Sequence, residues 1–266
     1  MRDETVSVER GRTTLVRKRL NEIWESSWFF PEQLEKRLIA ASLQRARVYA
    51  VGDMLDVGCG HKPYAALFAD RIRRHIGLDY PPTVDQHMTL GYREPRVDIY
   101  GEGGSLPIRS ATMDTVLCTQ VLEHSPRPAE MMSEMARVLK PGGHLILTAP
   151  QEWGLHQAPH DYFRFTRYGL KHLAESQGLR VEYIEARGGF WAMMGQRWSA
   201  YLYDTYCRPF RRRGQRAAFL LCAAIVLPAC ALAQLLALGL DRLQPIKENT
   251  LGHILVAAKP AKKINH

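Results

Sequence analysis

Short apolar runs alternate along this chain with segments whose apolar residues recur at helical spacing, the pattern of an α/β protein. Pro31 to Tyr49 carries Leu34, Leu38, Ile39 and Leu43 near helical spacing, with Pro31 at a tolerated first-turn position, and predicts a helix packed on the edge of a sheet. Strands are predicted over Met54–Gly58, Arg74–Asp79, Val97–Tyr100, Thr115–Thr119, His144–Ala149, Leu179–Ala186 and Leu251–Ala258. Helices are predicted over Lys62–Asp70, Pro128–Leu139 and Thr166–Gln177. Pro141-Gly142-Gly143 reads as the stop of the second, while Thr166 is a candidate N-cap for the third and Gly178 lies just past its end. These elements predict a seven-stranded, mostly parallel sheet with helices on both faces.

One segment breaks the alternation. About sixty residues separate the last two strands, too many for a plain loop. Within them Ala217–Leu240 contains no charged residue. A continuous helix over that run would be about 36 Å long, enough to cross a hydrocarbon core. A single crossing conflicts with the last strand, which has to return to the same sheet. Pro228 divides the run into halves of about 17 Å, which predicts a kinked or hairpin-like element lying in one leaflet. An apolar helical pair could equally form a lid over a site or a dimer interface. The predicted organisation is an N-terminal helical extension over 1–50, an α/β domain over 51–186 and 250–260, and an apolar helical insertion over 187–249.

Charge sharpens the picture of the insertion. The chain of 266 residues carries a formal charge of +9, and Arg208, Arg211, Arg212, Arg213 and Arg216 cluster directly before the apolar run. Basic residues beside a charge-free segment suit an anionic membrane surface better than a nucleic-acid groove, and no basic stripe interleaved with aromatics is present. The five cysteines have no zinc-ligand spacing, and their odd number speaks against a disulfide framework. Met1 to Leu20 is too polar for the apolar core of a signal peptide. A cytoplasmic protein, peripheral or monotopic at the inner membrane face, is expected.

The most informative chemistry lies in Met54-Leu55-Asp56-Val57-Gly58-Cys59-Gly60, where an apolar strand runs into a paired-glycine turn. Glycines there let a ligand approach the backbone closely. Asp56 would repel the pyrophosphate of a dinucleotide, so it points to a ligand with a cationic portion. Pro63 stands where a dinucleotide fingerprint would place its third glycine, and a proline offers no amide hydrogen. Cys59 reads as a small spacer, since nothing near it in the sequence would activate a thiolate.

Several further stretches occur in a telling order: Gly77-Leu78-Asp79, Leu106-Pro107-Ile108, Met113-Asp114-Thr115-Val116-Leu117, Val121-Leu122-Glu123-His124 and Arg137-Val138-Leu139-Lys140-Pro141-Gly142-Gly143. With the glycine turn they cover about Met54 to Pro150, and this order resembles the class I S-adenosylmethionine-dependent methyltransferases, especially the small-molecule and lipid subgroup. The resemblance implies a Rossmann-like fold and S-adenosylmethionine as cofactor. It implies that Asp56, Gly58, Cys59 and Gly60 hold the methionine end, that Asp79 with Tyr80 holds the ribose, and that Glu102 with Gly103 meets the adenine. Asp98 competes for the adenine role. Thr119 and Gln120 would line the methyl-donor side.

Ligands of open α/β sheets sit at the carboxyl ends of the strands, so the loop Pro150–Arg164 should overhang the methyl group. Its stretch Pro159-His160-Asp161-Tyr162-Phe163-Arg164-Phe165-Thr166 resembles one in relatives that accompany cell-surface glycan genes, which implies a polar, saccharide or lipid-linked acceptor. If a hydroxyl is methylated, His160 with Asp161, or His124, are the candidate bases. His156 and His160 have metal-compatible spacing, but Pro159 argues against a helix and the sequence offers no evident third ligand, so no metal is expected. The expected activity is methyl transfer to a small-molecule, glycan or lipid-linked acceptor. The alternatives are a soluble-metabolite methyltransferase with a helical lid, and a non-catalytic membrane adaptor that keeps the fold.

Overall fold

The computed structural model describes residues 24, 26–82 and 95–261, so residues 1–23 of the expected N-terminal extension lie outside it. The chain divides into two compact units, one of Met1–Arg37 with Phe190–Ile246 and the other of Leu38–Gly189 with Lys247–His266. The sequence pattern kept the N-terminal extension and the apolar insertion apart. The boundary falls at Arg37 instead, so that residues 38–50 of the extension belong to the unit of the sheet and the residues before them to the unit of the insertion.

The larger unit holds a seven-stranded sheet of β1 (Gly52–Val57), β2 (Ile72–Asp79), β3 (Ile99–Tyr100), β4 (Met113–Thr119), β5 (Leu139–Pro150), β6 (Arg180–Arg187) and β7 (Gly252–Ala258). Their order is β3-β2-β1-β4-β5-β7-β6. All pairs from β3 to β5 are parallel, while β7 runs antiparallel between β5 and β6. The carboxyl ends of β1, β2, β4 and β5 therefore meet along one edge of the sheet, which is where Asp56, Asp79, Thr119 and Pro150 stand.

Alternation along the strands decides the two faces. Leu55, Val57, Val116, Cys118, Leu145, Leu147, Leu255 and Ala257 pack with Met131, Met132 and Met135 of α3 (Pro128–Val138) and Leu170 of α4 (Arg167–Ser176). Met54, Leu117, Ile146, Ile254 and Val256 face the other way, against Ile39, Leu43 and Ala46 of α1 (Gln33–Ala46) and Phe68 of the single-turn α2 (Ala65–Phe68). Thus α1 covers the middle of a sheet face rather than its edge. Thr166 caps α4 as expected, its hydroxyl accepting the Gly169 amide at 3.1 Å. Pro141-Gly142-Gly143 is not a loop between helix and strand. These residues already belong to β5, with Gly142 at φ +83 and its amide donating to Lys259 at 2.8 Å.

The smaller unit is built on α5 (Phe190–Tyr206), the short α6 (Arg208–Arg212) and α7 (Arg216–Leu243). Pro228 lies inside α7, which continues through it, so the hairpin forms between α5 and α7 and not at the proline. The two long helices approach closely at Gly195, where an added Cβ would come within 2.2 Å of Ala237. Three buried polar residues on them serve the N-terminal segment. Gln234 accepts the Leu34 amide at 2.8 Å, Gln196 accepts the Glu35 amide at 3.1 Å, and Ser199 donates to the Pro31 carbonyl at 2.9 Å. The first-turn amides of α1, which no helix can satisfy internally, thus find their partners on otherwise apolar helices.

His253 in β7 provides a stability test. It is almost fully buried, and burial together with the positive charge of Arg187 pushes its imidazole down to about 4. The unfolded chain would bind a proton near pH 6.5 that the native chain refuses, so this contribution is complete above about pH 6.5 and is lost as pH falls to about 4. The expected loss is about 2 kcal/mol at pH 5 relative to pH 8. Urea unfolding of wild type and His253→Gln at both pH values should show the change from pH 8 to pH 5 differing between the two proteins by about that amount, with the larger loss in wild type.

Candidate active site

The turn after β1 is folded back onto β2 by two amides, Gly58 at 2.8 Å and Cys59 at 3.0 Å, which both donate to the Leu78 carbonyl. Gly58 has φ +72, and a Cβ on it would lie 2.4 Å from Val121. Gly60 has φ +48 with nothing within 4 Å of its Cβ position, so the turn is open on that side. The Gly60 amide donates to Asp79 Oδ2 at 2.8 Å, and the Tyr80 amide to Asp79 Oδ1 at 2.8 Å. Tyr80 itself is exposed. Cys59 is buried. Burial, followed by the charges of Asp56 and Asp79, pushes its thiol up to about 12, which suits a spacer and not a nucleophile.

Asp56 is almost fully buried, and the polar partner it finds is one the sequence pattern did not expose. His75 on β2 holds its Oδ2 at 2.9 Å, while its Oδ1 is buried without a hydrogen-bond partner. Asp98 accepts from Lys62 Nζ at 2.6 Å and from the Gly77 amide at 2.7 Å, which ties it to the β2 edge. Glu102, beyond β3, is exposed beside Arg127 at 3.3 Å, with Gly103 next to it against Met131. Thr119 ends β4. Gln120 follows at φ +56, a conformation rare for a side-chain-bearing residue, with its Nε2 on Thr148 Oγ1 at 3.0 Å and its amide on the Thr148 carbonyl.

A 3-10 turn, Leu122–His124, carries Glu123 and His124. The Glu123 carbonyl accepts the amides of Tyr162 and Phe163, and His124 Nδ1 lies 2.6 Å from the His160 carbonyl, so the loop after β5 is pinned over this turn. Glu123 is 0% exposed, and burial pushes its carboxyl up to about 8; burial also pushes the His124 imidazole down.

The expected pair of His160 with Asp161 does not form. Asp161 is buried and bound by both arms of Arg164, at 2.7 and 2.8 Å, and by the His156 amide at 2.9 Å. Arg164 offers a planar fork that a single imidazole nitrogen cannot match, and it holds the Asp161 carboxyl well below the usual carboxylate range. Asp161 is therefore a positioning group. His160 is exposed, and its Nδ1 lies 3.2 Å from the Tyr162 hydroxyl. His156 joins Glu123 and His124 instead of pairing with His160.

Known proteins resemble this chain over part of its length. Residues 55–147 match the family model described as a methyltransferase domain. The chain is 43% identical over 99 residues to a protein of Mycolicibacterium smegmatis named as a probable S-adenosylmethionine-dependent methyltransferase, over 37% of this chain and 38% of that protein. A Mycobacterium tuberculosis protein with the same description is 32% identical over 127 residues, 47% of this chain and 43% of its own length. The matches thus span about two-fifths of these relatives. Among solved structures, an S-adenosylmethionine-dependent methyltransferase from Archaeoglobus fulgidus superposes with a TM-score of 0.51 at 17% identity, covering 84% of this chain and 94% of that one. The sheet unit has the fold of the class I methyltransferases.

The residues at the end of β1 fit S-adenosylmethionine by their own geometry. Among the described residues, Asp56 Oδ1 is buried with no hydrogen-bond partner, close in sequence to a glycine turn whose open side at Gly60 no atom fills. Sequence reasoning missed His75, Arg164 and Arg187. Arg187 is buried at the end of β6, with its guanidinium 3.4 Å from Gln120 Oε1 and from the Ala149 carbonyl. His75 and Arg187 reach partners far along the chain, which no spacing rule links, whereas Arg164 lies three residues from its partner Asp161.

The two glycines should respond differently to alanine. Gly58→Ala combines a left-handed backbone with a collision at Val121, whereas Gly60→Ala carries only the backbone cost of about 1–2 kcal/mol. Thermal melting should place Gly58→Ala clearly below Gly60→Ala.

Proposed function

We propose that this protein is an S-adenosylmethionine-dependent methyltransferase whose acceptor is a polar small molecule, glycan or lipid-linked compound presented at a membrane surface. The observation that carries the methyl-transfer reading is the Asp56 carboxylate, buried and half unpartnered, beside the open turn at Gly60. When bound, S-adenosylmethionine supplies a methyl group already activated by its sulfonium. Asp56 would hold the cationic methionine end, with Gly58, Cys59 and Gly60 providing backbone contact. Asp79 and Tyr80 would hold the ribose, Glu102 and Gly103 the adenine, and Thr119 and Gln120 the methyl-donor side. The protein's remaining work is to orient the acceptor and exclude water, which is the main source of rate in such a displacement. His160, exposed on the loop after β5, would take a proton from an acceptor hydroxyl.

The membrane part rests on the helical unit. Leu221, Ile225, Leu232, Leu236 and Leu243 repeat at intervals of four and seven along α7, and all are exposed, Leu221 and Ile225 by 72% and 73%. Such a stripe on a helix long and apolar enough to cross a bilayer needs a cover. A crossing is disfavoured for two reasons. The insertion leaves and returns at one place, with the Phe190 amide on the Ile246 carbonyl at 2.9 Å and the Thr250 hydroxyl on the Arg187 carbonyl at 2.9 Å. The turn of the hairpin also carries Arg208, Arg211, Arg212, Arg213 and Arg216, which are costly to bury in hydrocarbon but favourable among anionic headgroups. The stripe therefore suits a helix lying in the interface.

Calorimetry should detect S-adenosylmethionine binding that weakens at least tenfold in Asp79→Asn; no binding by wild type would overturn the methyl-transfer reading. Methyl-labelled S-adenosylmethionine offered with separated lipid, glycan, metabolite and protein fractions should label one of the first three. In co-sedimentation, phosphatidylglycerol vesicles should retain wild type, while a variant with Leu221, Ile225, Leu232 and Leu236 all changed to Gln should stay in solution and still bind S-adenosylmethionine. Wild type that ignores the vesicles would sink the membrane reading alone.

A further inference from the structure

Glu123 and His124 at the end of β4 and His156 after β5 meet where the sequence spacing offered no third ligand. One ligand atom from each lies within 4.8 Å of the others, and Glu123 Oε1 is 3.9 Å from His124 Nε2. Both oxygens of the fully buried Glu123 and the Nε2 of His124 lack any hydrogen-bond partner among the described residues. Leaving buried polar atoms unpaired costs about 1–3 kcal/mol each, so three in one spot call for an occupant.

The surroundings of the two imidazoles say what kind. His124 Nδ1 lies 2.6 Å from the His160 carbonyl, an acceptor, so Nδ1 carries the proton and Nε2 presents a lone pair. His156 Nδ1 lies 3.1 Å from the Gly154 carbonyl and 3.3 Å from Asp161, again acceptors, which leaves its Nε2 as the ligating nitrogen. A carboxylate or carbonyl behind each histidine is the support that metal-binding imidazoles require. Asp161 is itself fixed by Arg164. The charges of Arg164 and Arg187 are felt at Glu123, but neither guanidinium donates to it, and Asp161 offsets the former.

We propose that Glu123, His124 and His156 form a binding site for a first-row transition divalent cation, with two imidazole nitrogens and one carboxylate as ligands. Two nitrogens among three donors select against magnesium and calcium, which take oxygen ligands. Ligands at about 2.1 Å from one ion stand roughly 3.0–3.4 Å apart, so the side chains need to draw together by up to about 1.5 Å. Three protein ligands leave coordination positions open, and the site lies on the strand ends where the acceptor is expected, so the cation would bind and polarise an acceptor oxygen. This role rests on the methyl-transfer reading, whereas the binding of the cation does not.

The test uses the full chain after chelator treatment, with Co²⁺ and Zn²⁺ as probes. Titration should give one Co²⁺ per chain with a d–d spectrum free of thiolate charge transfer, and Zn²⁺ should displace it. Glu123→Gln and His156→Gln should each weaken Zn²⁺ binding at least tenfold while leaving the circular dichroism spectrum intact. Wild-type crystals grown with Co²⁺ should show an anomalous peak among the three side chains, a readout that needs no variant. No binding, a thiolate spectrum, stoichiometric displacement by Mg²⁺, or a peak elsewhere would overturn the proposal. S-adenosylmethionine calorimetry on the same samples separates the two readings: cofactor binding without cation binding sinks only this site, and the converse sinks only the methyl-transfer reading.

Discussion

The amides of Gly58 and Cys59 donating to the Leu78 carbonyl hold the two halves of the candidate site together. They fold the end of β1 onto the end of β2, and this brings the Gly60 amide to Asp79 and leaves the turn open beside it. The turn is possible only because Gly58 accepts a left-handed backbone where Val121 leaves no space for a side chain. A parallel sheet then does the rest. Every strand from β3 to β5 delivers its carboxyl end to one edge, so residues far apart in sequence meet there without any local signal.

That edge holds polar atoms which the protein alone does not satisfy. Asp56 Oδ1 and both oxygens of Glu123 are buried without partners, whereas the ionic groups around them are well paired, with His75 on Asp56 and Arg164 on Asp161. Asp56 Oδ1 and the Glu123 oxygens are thus among the unmet polar atoms of the described residues, and they stand at or just beyond the carboxyl ends of β1 and β4.

The helical unit solves an unusual problem with ordinary means. Two mostly apolar helices carry Gln196, Ser199 and Gln234, buried residues whose polar groups complete the backbone of the N-terminal segment and the first turn of α1. Small residues at Gly195 and Ala237 let the pair approach closely. The apolar residues left over form the exposed stripe of α7. Packing within the unit accounts for the polar residues of the insertion, and the stripe is what remains for a surface outside it.

Residue order alone was enough to locate the strands and helices of the α/β unit, the glycine turn, and Asp56, Asp79 and Thr119 at strand ends, because period and turn chemistry are local. It also marked the apolar run and the arginines before it. Helix or loop at Pro141-Gly142-Gly143 was not legible, since β5 there is decided by the Gly142 and Lys259 backbone pairing with the far end of the chain. The continuation of α7 through Pro228 was equally hidden, because packing against α5 supports it. Folding in three dimensions settled that Asp161 serves Arg164 and not His160, and that His156 joins Glu123 and His124. His156 lies far along the chain from Glu123 and His124, so that grouping is a matter of reach in space; Asp161 takes Arg164, three residues on, over the adjacent His160 because a guanidinium fork matches a carboxylate, a geometry that residue order does not contain.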